Sequence, residues 1–172
     1  MPRPFALALI VALLPACAVQ SDSRAIVAPS AAEVAVAPTY YVSRHMQKES
    51  GDDPALTAEG AANAQRLADM LADKGISAIF STDTRRTRST AEPLSRLTGV
   101  PIQIYDPRDN QALAARAQAV TGSVLIIGHS NTVPGIVAAL HGEPIAPIDE
   151  ETGFGLVFAV DRSTGKTVQT RL

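Results

Sequence analysis

The chain of 172 residues carries a formal net charge of −2, and 46% of its residues are hydrophobic. This length favours one folded domain together with an export segment, because domains typically span roughly 100–200 residues. Since the sequence lacks the basic excess with which proteins neutralise nucleic-acid phosphates, we do not expect nucleic acid to be a partner.

Residues 1–17 form a predicted signal peptide. One positive charge precedes a short apolar run, which ends in small residues and the only cysteine, Cys17. The run is well short of the roughly 20 residues that a lasting transmembrane helix needs. Leu14-Pro15-Ala16-Cys17 resembles the bacterial lipobox, and this resemblance implies cleavage before Cys17 and lipid attachment to its sulfur. The alternative is an ordinary secretory signal that is cut later and discards Cys17.

Both alternatives predict export to the bacterial cell envelope, into the periplasm. Membrane contact is expected only through the possible lipid anchor at Cys17. Residues 18–38, rich in Ala, Val, Ser and Pro, predict a flexible linker, with a short strand as the alternative for the Ala-Val stretch. We therefore expect the folded domain to occupy residues 39–172, which suffice for one sizeable core.

From residue 39 onward, short β-prone runs alternate with segments of helical spacing. Strands are predicted at residues 39–42, 76–80, 102–105 and 124–127, with closing strands at 155–160 and 167–171 around a turn at 163–165. Helices are predicted from Thr57 to Lys74, after Asp83 to about Leu97, from about Asn110 to Val120, and from Val133 to Leu140. This alternation predicts a three-layer α/β/α fold, in which helices cover both faces of a mostly parallel sheet.

Polar residues follow three of the predicted parallel strands. Arg44 and His45 follow the first strand, residues 81–86 the second, and His129 the fourth. Ligands of such sheets gather outside the carboxyl ends of the strands, so these side chains are expected to meet there. Several cations at one dry edge would repel one another, and a bound anion removes that cost. Arginine matches phosphate oxygens, and nearby positive charge favours neutral, nucleophilic imidazole, so the pattern predicts a phosphoryl-binding site.

Four segments resemble, in order, the motifs of the histidine phosphatase superfamily, whose members are phosphoglycerate mutase-like. They are Arg44-His45, Leu56-Thr57-Ala58-Glu59-Gly60 (similar to Leu-Thr-x-x-Gly), Ser81 to Ala91 (similar to Ser-x-x-x-x-Arg-x-x-x-Thr-Ala), and Gly128-His129-Ser130. The resemblance implies that His45 is the nucleophile and forms a phosphohistidine, while Arg44, Arg86 and His129 hold the phosphoryl oxygens. It implies no metal or other cofactor, and a phosphorylated small molecule or phosphoprotein as substrate.

The chain departs from the superfamily pattern directly after the nucleophile. Met46 stands where Gly or Ala is usual and Gln47 where Glu is common, so a loop hydrogen bond is expected to change and one charge is missing. Lys48 adds positive potential near the pocket or is a solvated loop residue. If the alignment shifts by one position, Arg85 takes the place of Arg86.

The superfamily's proton donor to the leaving group is a carboxylate whose position varies. Asp109, Asp106 and Glu49 are candidates here, but each is better explained as a surface acid. His141, before Gly142 at a predicted helix end, is expected to complement the helix dipole.

Other activities fit the sequence less well. Gly128 to Thr132 follows a strand like the elbow of a serine hydrolase, but Thr132 stands where that motif needs glycine. No His-x-x-x-His or His-x-His spacing favours a metal hydrolase. A phosphatase acting on a phosphomonoester or another phosphorylated substrate is the primary prediction. A noncatalytic phosphate-binding or envelope interaction module is the alternative, and a mutase a lesser one.

Overall fold

The computed structural model describes residues 37–172. The predicted signal peptide, Cys17 and nearly all of the predicted linker lie outside these residues. Within residues 37–172, every helix is too short or too polar to span a bilayer.

A single mixed sheet forms the centre of the described residues. Its strands are β1 (Thr39–Arg44), β2 (Ile76–Ser81), β3 (Ile102–Ile104), β4 (Ser123–Gly128), β5 (Leu156–Asp161) and β6 (Thr167–Arg171). Their order across the sheet is β3-β2-β4-β1-β5-β6. β1 to β4 run parallel, while β5 pairs antiparallel with both β1 and β6. The predicted mostly parallel sheet is thereby confirmed.

Four helices cover the two faces of this sheet. They are α1 (Ala58–Leu71), α2 (Arg85–Thr98), α3 (Asn110–Gln118) and α4 (Val133–Ala139). Successive residues of a strand point to opposite faces, so buried β4 contributes to two separate cores. Leu125 and Ile127 belong to the core that holds the apolar residues of α1 and α2, whereas Val124 and Ile126 belong to the core of α3 and α4. The three-layer α/β/α prediction is confirmed.

Individual residues determine where the helices α1 and α2 begin and end. The hydroxyl of Thr57 accepts a hydrogen bond from the backbone N–H of Gly60 at 3.0 Å and caps α1 as predicted. α2 ends at Gly99, which adopts the left-handed conformation at φ 74°. The predicted end of α1 at Lys74 is wrong by three residues, because the chain leaves the helix after Leu71 and turns towards β2.

The loop that follows His45 is fastened to the start of α1. The backbone N–H of Thr57 donates to the carbonyl of Gln47 at 3.0 Å, and that carbonyl lies so close to Gly60 that a Cβ there would collide with it. The Gln47 side chain bridges two residues of α1, accepting from Asn63 at 3.0 Å and donating to Glu59 at 2.9 Å. Gly60 is therefore needed for close approach, which places the loop beside the nucleophile candidate.

Candidate active site

His45 lies directly after β1 at the carboxyl edge of the parallel strands. Its backbone N–H donates to Gly128 at 3.0 Å, which continues the pairing of β1 with β4, and the residue is only 3% exposed. The ring Nδ1 lies 2.8 Å from the carbonyl oxygen of Met46. Since a carbonyl only accepts, Nδ1 carries the proton and Nε2 keeps its lone pair.

The surroundings of His45 keep its ring neutral. Burial is the largest cause that lowers its pKa, and the positive charges of Arg44 and Arg86 and the neighbouring His129 lower it further. The bond to the Met46 carbonyl opposes these effects, and the pKa settles at about 3. The imidazole is therefore in its nucleophilic form throughout the physiological pH range.

Arg44 is held in place by the loop before β5. Its Nη1 donates to the carbonyls of Asp149 at 3.1 Å and Glu150 at 2.8 Å, and its guanidinium stacks 3.9 Å from the ring centre of Phe154. Its Nε is buried and has no hydrogen-bond partner among residues 37–172. Buried donors are almost always paired, so this atom indicates a position suited to an anion.

Arg86 occupies the first turn of α2 and differs from its neighbours on that helix. Its side chain is 21% exposed, forms a long ion pair of 3.9 Å with Asp53, and also buries an Nε without a partner in the described part of the chain. Arg85 is exposed, and Arg88 is paired at 3.1 Å with Asp83 on the surface. Among these three arginines it is Arg86 that lines the cavity containing His45.

His129 follows β4 and faces His45 across the cavity. The two ring centres lie 5.5 Å apart in an edge-on arrangement. The Nε2 of His129 lies 3.0 Å from the hydroxyl of Thr82, and its backbone N–H donates to the hydroxyl of Thr132 at 3.0 Å. Burial, followed by the charges of Arg86 and Arg44, lowers the pKa of His129 to about 4.

Four residues predicted from three segments of the chain thus share one cavity of about 440 Å³. Arg44, His45, Arg86 and His129 line it together with Lys48, Pro107, Arg108, Ser130, Asn131, Thr132 and Glu150. This volume lies within the range of small-molecule sites. Because the cationic groups outnumber the carboxylates, the cavity suits an anionic group beside a neutral imidazole.

The three candidate proton donors lie elsewhere. Asp106 is paired with Arg108 at 2.7 Å, and its hydrogen bonds to Arg108 lower its pKa to about 2, so it is ionised. Asp109 caps α3 by accepting from the N–H of Ala112 at 2.9 Å, and Glu49 is exposed. None of the three lines the cavity, so the structure does not favour any of them as the donor.

Glu150 is the carboxylate that the sequence analysis missed. It lines the cavity, and its Oε1 accepts a hydrogen bond from the hydroxyl of Ser130 at 3.1 Å. No motif marks it, because it lies in a loop 105 positions after His45. Only the folded chain brings it to the site.

A second cavity, which we term the opposite-edge cavity, is lined by Tyr40, Gln118, Leu140, His141, Arg162, Ser163, Thr164 and Gly165 and has a volume of about 510 Å³. His141 follows the end of α4 with φ 61° and is exposed there. Within residues 37–172, no group of three or more His, Cys, Asp or Glu side chains is placed to hold a metal ion.

The residue order and this geometry agree with a known family. Residues 40–108 match the model of the histidine phosphatase superfamily (branch 1), a segment that includes Arg44, His45 and Arg86. Over these residues, the match supports the predicted resemblance to this superfamily. No curated protein matches the sequence significantly.

Solved structures with the same fold extend over most of this chain. The protein histidine phosphatase SixA, complexed with tungstate, is 20% identical with a TM-score of 0.58, covering 77% of this chain and 94% of that one. A mycobacterial glucosyl-3-phosphoglycerate phosphatase with VO3 is 17% identical with a TM-score of 0.62, covering 78% and 98%. A protein from Thermus thermophilus is 22% identical with a TM-score of 0.52, covering 78% and 99%. At these identities the likeness shows the fold alone.

Proposed function

We propose that this protein is a phosphatase that hydrolyses a phosphorylated substrate through a phosphohistidine on His45. The observation that carries the proposal is the neutral His45 ring, whose Nδ1 is held by a backbone carbonyl beside two arginines with buried, unpartnered Nε atoms in residues 37–172. Similar structures contain tungstate and VO3, oxyanions that resemble phosphate in charge and shape. These ligands support phosphate as the anion for which this cavity is built.

In the first step, the Nε2 lone pair of His45 attacks phosphorus and the bond from phosphorus to the leaving group breaks. Arg44, Arg86 and His129 hold the phosphoryl oxygens while charge redistributes among them. In the second step, water attacks the phosphohistidine, phosphate departs and the imidazole is regenerated. Positioning and electrostatic stabilisation dominate such transfers, which is why a prearranged cationic cavity suits this reaction.

The direct test is to trap the intermediate. The protein is incubated with a labelled phosphodonor, quenched, and digested to map the acid-labile phosphate, which we expect on His45. Hydrolysis of p-nitrophenyl phosphate without added metal should fall at least about 10⁴-fold in His45→Ala, as expected when a covalent nucleophile is removed. His141→Asn is the matched control, because asparagine tolerates the left-handed backbone of that position and His141 lies in the opposite-edge cavity.

Two outcomes would contradict the proposal. Label on another residue, or full activity in His45→Ala, would remove His45 as the nucleophile. Phosphate binding without turnover on a panel of phosphoesters would favour the noncatalytic phosphate-binding or envelope interaction module.

We also propose that the protein is exported to the bacterial envelope, with the folded domain beginning near residue 39 and a lipid on Cys17. The lipobox-like segment before Cys17 supports this proposal. The intact mass of the membrane-extracted protein tests it: lipidation predicts a mature chain that begins at Cys17 with added acyl mass. An unmodified chain that begins at Met1 would contradict it.

A further inference from the structure

Glu150 lies where the cavity of His45 meets a second cleft. That cleft has a volume of about 400 Å³ and shares Ser130, Asn131 and Glu150 with the catalytic cavity. Its remaining wall is apolar and consists of Pro134 at the start of α4 and Ile145, Pro147 and Ile148 in the loop before β5. A substrate whose phosphoryl group lies beside His45 therefore has a continuous path for its other end.

Glu150 is exposed, and it contacts both sides of the site, through its carboxylate and through its backbone carbonyl. Its Oε1 accepts from Ser130, the residue after His129, and Ser130 is 8% exposed. Its backbone carbonyl accepts from Nη1 of Arg44 at 2.8 Å. A group held by two neighbours of the phosphoryl site keeps a defined position relative to the reacting atoms, as a proton donor requires.

We propose, on the basis of the phosphatase function above, that Glu150 protonates the leaving group and that the leaving group occupies the adjoining apolar cleft. As the bond from phosphorus to the ester oxygen breaks and the bond from Nε2 of His45 to phosphorus forms, the carboxyl proton of Glu150 passes to that oxygen and an alcohol departs. In the second step, the Glu150 carboxylate takes a proton from the attacking water. Phosphate leaves, and both side chains return to their starting states.

The apolar wall of the cleft beside Glu150 determines which leaving group the site accepts. The substrate class that follows is the phosphate monoester of an alcohol with an apolar carbon skeleton, whose alkoxide is too basic to leave unprotonated.

A series of phosphate esters tests the assignment. In Glu150→Gln, kcat/KM for hexyl phosphate should fall by about 100-fold, the usual scale of general acid catalysis. The fall for p-nitrophenyl phosphate should be several-fold at most, because nitrophenolate leaves with little need of a proton. Glu150→Asp should recover part of the hexyl phosphate activity. Glu151→Gln is the matched control, since Glu151 is exposed and does not line either cleft, and it should keep wild-type rates on both esters.

The proposed role of the apolar cleft leads to a second prediction, which is tested with the wild-type protein. Ethyl and hexyl phosphate release alcohols of similar acidity but different apolar size, so hexyl phosphate should have at least about 10-fold higher kcat/KM from burial of four additional methylene groups. Equal values for the two esters would place the leaving group outside the cleft.

The failure of this inference is distinguishable from failure of the phosphatase function. Absence of turnover on every ester and of any label on His45 would overturn both. Turnover of p-nitrophenyl phosphate with none of hexyl phosphate, or an equal fall on both esters in Glu150→Gln, would overturn the role of Glu150 and leave the phosphatase intact. If Glu150→Gln is unfolded by circular dichroism, the wild-type rates decide: a steep fall with increasing leaving-group basicity excludes protonation by Glu150, and a shallow one supports it.

Discussion

Arginine side chains lie at both ends of the sheet, but their hydrogen-bond donors are used differently at the two ends. In the opposite-edge cavity, Arg162 donates from Nη1 to Val120 at 2.6 Å and to Gly122 at 2.8 Å, and its guanidinium lies 4.7 Å from the ring centre of Tyr40. At the edge that holds His45, Arg44 and Arg86 each bury an Nε that has no partner within residues 37–172. An arginine whose donors are saturated by carbonyls stabilises the fold, whereas one with an unused buried donor is prepared for a ligand.

The largest effect that tests this comparison is expected within α2. Arg86→Ala should lower kcat/KM for p-nitrophenyl phosphate by about 100- to 1,000-fold, as removal of a single oxyanion donor does in other enzymes. Arg85→Ala and Arg88→Ala remove the same charge from adjacent positions that do not line the cavity, and they should retain wild-type values. Steady-state kinetics of the three variants decide the point. A comparable loss in all three would mean that net charge, and not the position of Arg86, matters.

A smaller effect, on stability and not on activity, is expected at the other end of the sheet. Arg162→Ala should lower the free energy of unfolding by about 2 kcal/mol, because it leaves the partly buried carbonyls of Val120 and Gly122 without a charged donor. The folded variant should keep the wild-type kcat/KM, since Arg162 does not line the cavity that contains His45. Denaturant unfolding and steady-state kinetics on the same sample separate the two quantities. A loss of activity with unchanged stability would contradict the division between the two edges.

The smallest expected effect per residue is the pH dependence of stability that arises from His45 and His129. The pKa values of His45 and His129 are lowered in the folded protein to about 3 and about 4, from 6.5. Between pH 6.5 and pH 5 the unfolded chain therefore binds more protons than the folded one, and stability falls as the pH falls. The stabilisation is fully present above pH 6.5, and we expect each of the two rings to contribute a loss of about 1 kcal/mol per pH unit below it.

Urea unfolding at pH 6.5 and pH 5 measures this slope. The double variant His45→Asn/His129→Asn should have a much flatter dependence across the same window. Asp106 and Asp161, whose pKa values are lowered to about 2, make contributions that are lost only at more acidic pH. An unchanged slope in the double variant would show that the two rings are not the source.

Strands and helices could be predicted from the sequence because the residues that determine each of them lie close together in the chain. The apolar run at residues 124–127 lies in the buried strand β4. Thr57 marks the start of α1 through its hydroxyl, and Gly99 marks the end of α2 through its left-handed backbone. The order of strands depends on long-range packing, so the antiparallel position of β5 beside β1 has no local signature. Glu150 is missed for the same reason, whereas Arg86 is assigned through a motif that spans only a few residues.

The hydrogen bond that orients His45 has a consequence for variation at the next position. The acceptor is a main-chain atom, and the side chain of Met46 points away into the core shared with α1 and α2, where it is fully buried. The ring tautomer is thus independent of which amino acid occupies position 46. A residue of another size at position 46 would change the packing beneath the site but would leave the same carbonyl to hold the Nδ1 proton of His45.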